Sequence, residues 1–257
     1  MLAEAIIVAV ALFTAYAKVV DNPLKWKASK ERAHSLLKDS WPLIVSASAW
    51  IVYVRTDQIM VGQMIDDEAL GFYSAATQLS EAVNVLPVII AFSIIPAISK
   101  LREINRSLYD QRFQLIYDVV VGVMFLMALS ITLLSVHIVR FLYGEAYSSA
   151  ATVLSIYSWV GIAVAMATVS GRYLLNEGLQ RITMQRHLLG IAINIPMNLA
   201  FISWYGAEGA AVASLITFFI VNFMFDAFSW RTRVCFKHKL NSLFLVGLIR
   251  YVARKVK

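Results

Sequence analysis

Arg55 and Asp57 stand two residues apart in Val54-Arg55-Thr56-Asp57-Gln58, in the midst of a long apolar run. Ionised side chains at bilayer depth are expensive, so each is a functional candidate by default. Ser48, Arg55, Gln58 and Gly62 recur at helical spacing and share one face. Asp57 lies about 200° around the same helix from Arg55, so the two cannot pair well and each needs its own partner. The next apolar run carries a second polar stripe, Ser74, Thr77, Glu81 and Asn84. Arg55 has two readings, a cation lining a substrate cavity or half of an ion pair between helices. Glu81 is deep enough to answer Arg55 or to hold a coupling cation, and Asp57 is likewise open between coupling and structure. Asn194 and Asn198 bracket Pro196, where packing and hydrogen bonds to backbone freed by the proline are the leading reading.

The runs that position these residues are those of a membrane protein. The 257 residues are 60% hydrophobic and 15% charged, with mean hydropathy +0.69. Soluble domains average about 45–50% apolar and about 25% charged. A helix needs about 20 apolar residues to cross a bilayer. Stretches of that kind fall at about 2–19, 41–62, 70–99, 114–142, 150–174, 187–204 and 209–229. The fold class is therefore all-α, a polytopic membrane helix bundle of about seven transmembrane helices.

Of the 23 Lys and Arg residues, all but Arg55 and Arg140 fall beside alternate connectors, after the first, third, fifth and seventh stretches. The intervening connectors, 66–68, 143–147 and 204–208, hold Asp, Glu, Gly and Tyr but no Lys or Arg. That alternation is the positive-inside pattern and puts the carboxyl end in the cytoplasm. The net charge of +7 then reflects orientation and attraction to anionic lipid headgroups, and nucleic acid is not expected as a partner. Asp118 and Asp226 fall near the inner ends and read as interfacial. Arg140 and Glu145 fall at the outer surface, where they can neutralise each other. The segment 21–40 reads as a basic amphipathic connector with Trp26, Leu36 and Leu37 interleaved, and 231–257 as a basic cytoplasmic tail whose apolar stretch is too short to span.

Nothing points to an enzyme. Nucleophile-elbow, P-loop, HExxH and paired-cysteine motifs are absent from the sequence. Cys235 is the one cysteine, the four histidines have no ligand spacing, and neither a metal nor another cofactor is expected.

The series Trp41-Pro42-Leu43-Ile44, Arg55-Thr56-Asp57-Gln58-Ile59-Met60-Val61-Gly62 and Ala69-Leu70-Gly71-Phe72-Tyr73-Ser74-Ala75-Ala76 resembles the Wzx-type O-antigen and exopolysaccharide flippases of the MOP superfamily. Phe141-Leu142-Tyr143-Gly144-Glu145-Ala146-Tyr147, Asn194-Ile195-Pro196-Met197-Asn198 and Tyr205-Gly206-Ala207-Glu208-Gly209-Ala210-Ala211 extend the likeness. The resemblance implies two six-helix lobes around a central cavity, with 1–20 as the last helix of a first lobe and 41–230 as the six helices of the second. The chain is then expected to be part of a larger protein.

By the same resemblance the substrate is an undecaprenyl-diphosphate-linked oligosaccharide, moved across the bacterial plasma membrane. Arg55, Gln58, Ser48 and Asn84 would contact it, and Asp57 or Glu81 would couple transport to a proton or sodium ion. Membrane lipids are expected partners, with a polysaccharide polymerase or glycosyltransferases beside them. A MATE-like drug/cation antiporter or a lipid II flippase stays open as an alternative, as does a non-transporting scaffold for glycosyltransferases.

Reporter fusions to the 66–68 turn and to the 100–112 segment check the charge-derived topology. They should report opposite compartments; the same compartment for both would overturn it.

Overall fold

A computed structural model gives the structure of the chain and describes residues 2–19 and 29–255. Among the described residues the fold is all-α, with no strand. Two compact units divide between Trp41 and Pro42. The first contains α1 (Leu2–Val19), whose Ile6, Ile7, Leu12 and Phe13 are all exposed, as suits a helix surrounded by lipid. Of the basic connector, Lys25, Trp26 and Lys27 lie outside the described residues. From Lys30 onward the connector is already helix, continuous with the second apolar stretch in α2 (Lys30–Met64). Lys30 to Lys38 are mostly good helix formers with no Gly or Pro among them, so nothing interrupts the winding.

Among the described residues of the second unit four apolar segments are long enough to cross a bilayer: Asp67–Ser99, Arg106–Tyr143, Ala150–Asn176 and Gln180–Phe228. Their ends and breaks follow from named residues. Asp66 starts α3 (Asp67–Val83) by accepting the Ala69 N–H at 2.7 Å, and Asn105 starts α6 (Arg106–Tyr143) by accepting that of Leu108 at 2.9 Å. The 70–99 stretch is not one straight helix. It divides at Asn84 into α3 and α4 (Val85–Ser99). Pro87 has no N–H to return to the preceding turn, which frees the backbone at that point. The 150–174 stretch divides likewise, into α7 (Ala150–Tyr157) and α8 (Val160–Asn176).

After α5 (Leu101–Ile104), α6 forms the axis of the unit and packs against α4, α7 and α8. Towards one end its Tyr109, Phe113 and Tyr117 join Met166 and Tyr173 of α8 in an aromatic core. Towards the other, a second core gathers Tyr53 of α2, Tyr73 of α3, Tyr157 of α7 and Phe218. Phe218 belongs to α9 (Gln180–Phe219), and Tyr53 stacks on it at 4.5 Å between ring centroids.

Gly206 breaks α9. Its φ of 61° lies in the left-handed region that side chains other than glycine avoid. Beyond it the chain turns back on itself. A Cβ on Gly209 would sit 2.0 Å from the carbonyl oxygen of Phe201, whereas a straight helix would hold positions eight apart at about 12 Å. The turn expected at 204–208 is this reversal. Past it a π-helical stretch (Ile220–Met224) leads into α10 (Phe225–Phe228).

The tail is more closely integrated than a surface strip. Its helices α11 (Arg233–Ser242) and α12 (Val246–Lys255) pack on α6. Asp118 is fully buried rather than interfacial, because it caps α12: its carboxylate accepts the Leu248 N–H at 2.7 Å and the Gln114 side-chain amide at 2.7 Å. The Arg140–Glu145 pair forms at 2.7 Å on the surface, where it contributes little.

Gly209→Ala should destabilise the purified chain by about 1–3 kcal/mol, since backbone rather than a movable side chain blocks the added methyl. Gly171→Ala, a helical position with nothing within 4 Å of the added carbon, should be neutral or slightly stabilising. Thermal unfolding in detergent compares the two, and equal effects would remove the account of the reversal.

Candidate functional site

α2 and α3 run back to back through the short turn at 65–66, which sets their polar stripes against each other. Arg55 meets Glu81 there in a bidentate pair, its two terminal nitrogens donating to the two carboxylate oxygens at 3.3 and 3.1 Å. The Arg55 side chain remains 49% exposed and that of Glu81 27%. One turn on, the Gln58 amide donates to the Thr77 hydroxyl at 3.0 Å. Ser48 is exposed on α2, two turns before Arg55. Arg55, Glu81, Gln58 and Ser48 present one polar strip on the face of the hairpin, with the Thr77 hydroxyl buried beneath Gln58. Arg55 is nine residues from the end of α2, about 14 Å along the helix. α2 is not among the four segments apolar enough to cross a bilayer by composition, and a charged pair this far inside a spanning helix would have to border water or protein rather than hydrocarbon.

Asn84 does not belong to the strip. It sits at the α3–α4 break, and a Cβ on Gly161 of α8 would lie 2.9 Å from its side-chain oxygen. Its place is in helix packing.

Asp57 points inward, as its angle from Arg55 requires. It is 1% exposed. Tyr73 donates to it at 2.6 Å, Ser214 at 2.9 Å and the Gln58 backbone N–H at 2.8 Å. Three donors compensate a buried carboxylate that no cation answers among the described residues. Through them Asp57 ties α2 to α3 and to the returning limb of α9. Asn194 and Asn198 are fully buried nearby in sequence on α9, with the Asn198 amide donating to the Asn194 carbonyl at 3.1 Å and to its side-chain oxygen at 2.9 Å. Among the described residues no group of three or more His, Cys, Asp or Glu is arranged to hold a metal ion.

A second charged cluster was not legible as one. Asp226 is fully buried, not interfacial. One of its oxygens accepts from Arg186 at 2.6 Å and the other from Lys239 at 2.7 Å. Arg186 also donates to Ser170 of α8 at 2.8 Å, and Lys239 to the Asn222 carbonyl in the π-helical stretch. Arg186 and Lys239 are thus core residues rather than members of the basic connectors, and burial lowers the Lys239 pKa. The available signal was Asp226 itself: an acid in Phe223-Met224-Phe225-Asp226-Ala227-Phe228 demands buried cations. Removing one member of such a triad costs about 3–5 kcal/mol, because a buried charge is left unanswered.

Comparison with known proteins bears on what this arrangement serves. Residues 1–102 match the family described as "Polysaccharide biosynthesis protein". A protein of Shigella dysenteriae named as an O-antigen transporter is 25% identical over 199 residues, covering 74% of this chain and 48% of the relative. Two Haloferax volcanii proteins also match. AglR, named as a flippase, is 26% identical over 170 residues, 64% of this chain and 35% of its own length. Agl15, named as a low-salt glycan biosynthesis flippase, is 23% identical over 195 residues, 75% of this chain and 41% of its own. The chain therefore spans about half the length of these relatives or less. No solved structure matches the chain significantly. The chain is thus similar over residues 1–102 to the polysaccharide biosynthesis family, and at 23–26% identity to proteins named as an O-antigen transporter and as flippases.

Proposed function

We propose that this chain forms part of a flippase that moves an oligosaccharide linked to undecaprenyl diphosphate from the inner to the outer leaflet of a bacterial plasma membrane. The observation that carries the proposal is the Arg55–Glu81 pair, half-exposed on a polar strip at bilayer depth. A guanidinium offers the forked donors that fit a phosphate, and at this site it is already held by a partner it can exchange. Where water reaches it, such a pair is worth about 0–1 kcal/mol, so a diphosphate with more charge than Glu81 can displace the carboxylate.

Displacement has a consequence for coupling. Glu81 loses its counter-ion when the diphosphate takes Arg55, and a proton or sodium ion would then restore neutrality. Substrate and ion would bind together, with Gln58 and Ser48 offering hydrogen bonds to sugar hydroxyls. Alternating access would follow from rocking one lobe against another. Asp57 is a weaker coupling candidate, because its oxygens already accept three hydrogen bonds. That same saturation counts against the cation-antiporter alternative, which would need a free acid.

A charge reversal separates transport from structure. In a strain whose surface polysaccharide depends on this chain, Arg55→Ala should lower surface polymer at least about tenfold. The double variant Arg55→Glu with Glu81→Arg should restore normal membrane levels while leaving polymer low, because the cation has moved to the other helix. Polymer export restored by the swap would reduce the pair to a strut between helices.

A further inference from the structure

At the end of the unit where α6 begins lies a cavity that plays no part in the α2–α3 strip. α6, α11 and α12 enclose about 830 Å³ there. Arg106, Arg112, Lys237 and Arg250 line it against a single carboxylate, Asp110. Arg106 is engaged, with Glu177 at 2.8 Å and Asp110 at 3.8 Å. Arg112, Lys237 and Arg250 form no ion pair among the described residues. Three cations without an ion-pair partner, on three helices lining one space, favour an anion among them.

His238 supplies a second, independent feature. The Gln114 amide nitrogen donates to Asp118 at 2.7 Å and to the His238 carbonyl at 3.0 Å, both acceptors, which fixes the orientation of that amide. The Gln114 oxygen then faces His238 Nδ1 at 2.7 Å, so Nδ1 carries the ring proton. The other ring nitrogen, Nε2, is buried without a partner in a side chain that lines the cavity. Burial lowers the imidazole pKa to about 4, so Nε2 is an unused acceptor at neutral pH.

The third feature is the lip. α12 is seated tightly: a Cβ on Gly247 would meet Gln114 at 2.7 Å and Asp118 at 2.9 Å. Leu243 and Phe244, between α11 and α12, and Ile249 and Val252 of α12 are exposed on the elements that carry the cavity's lining. A charged cavity beside exposed apolar side chains fits a molecule with an anionic head and hydrocarbon tails.

We propose that this cavity binds the phosphate headgroup of an anionic lipid, with Arg112, Lys237 and Arg250 around the phosphate and His238 Nε2 accepting a hydrogen bond from a headgroup hydroxyl. The occupant joins α6, α11 and α12 through one anion and so holds α12 in its seat. The site depends on the chain spanning a membrane but not on Arg55 or on what the α2–α3 strip carries. A phosphate at this depth has two sources, a glycerophospholipid of the leaflet or the polyprenyl-diphosphate carrier.

The experiment uses the whole chain in an uncharged detergent, with native mass spectrometry counting retained lipid and thermal unfolding following stability. The probes are phosphatidylglycerol, phosphatidylmethanol (the same phosphate without a headgroup hydroxyl), polyprenyl diphosphate, phosphatidylcholine and inorganic phosphate. One copy of phosphatidylglycerol or of polyprenyl diphosphate should be retained and should raise the unfolding temperature, and whichever displaces the other is the source. Arg112→Gln, Lys237→Gln and Arg250→Gln together, all at exposed positions, should weaken that binding by about a hundredfold. Phosphatidylmethanol should bind several-fold more weakly than phosphatidylglycerol, and equal binding would overturn the His238 contact. Retention no better than that of phosphatidylcholine, binding unchanged in the triple variant, or full replacement by inorganic phosphate would overturn the lipid site.

Discussion

A charge taken out of water must find a partner, and the helices of this chain are arranged around the ways that demand is met. Asp57 is answered by three neutral donors and turned inward. Asp226 is answered by two buried cations. Arg55 is answered by Glu81 on a strip that stays half open. The first two fix where helices meet, since unpairing a buried charge costs several kcal/mol. The third is cheap to unmake, because its groups retain access to a polar surrounding.

That difference separates scaffold from working surface. Asp57 draws α2, α3 and the returning limb of α9 into one block. The Arg186–Asp226–Lys239 triad does the same at the other end, joining the start of α9, the region after its π-helical stretch, and α11. Between these two anchors lies the Arg55 strip, whose ion pair stays partly exposed. The proposed flippase would have this need: a cavity polar enough for a sugar and a diphosphate, with walls that do not collapse when the cargo leaves.

Much of this was legible from residue types and spacing. The helical angle between Arg55 and Asp57 already required separate partners, and the polar stripe containing Glu81 already offered one. The reversal at Gly206 followed from glycine and aromatic residues between two apolar runs. What was not legible has a common cause. Tyr73 and Ser214, the donors to Asp57, are residues that apolar helices carry routinely, and nothing in their spacing singles them out. Arg186 and Lys239 were read with the basic connectors because the positive-inside pattern counts charges near span ends without saying which turn back into the bundle. Asn84 shares the stripe of Thr77 and Glu81 by periodicity, but the break at that residue takes it off the strip. Periodicity assumes a continuous helix, and Pro87 ends that continuity.

The central claim is that neighbouring positions on α2 have opposite fates, 55 and 58 opening to an aqueous polar strip and 57 sealed in the core. Single cysteines placed at 48, 55, 57 and 58 and challenged with a charged thiol reagent test it directly. Cys235 provides a silent background, since it is fully buried and its thiol is pushed up to about 12. The account predicts rapid modification at 48, 55 and 58, slowed by a lipid-linked oligosaccharide at 48 and 58, where Arg55 is intact, and none at 57. Modification at 57 with silence at 55 would contradict it.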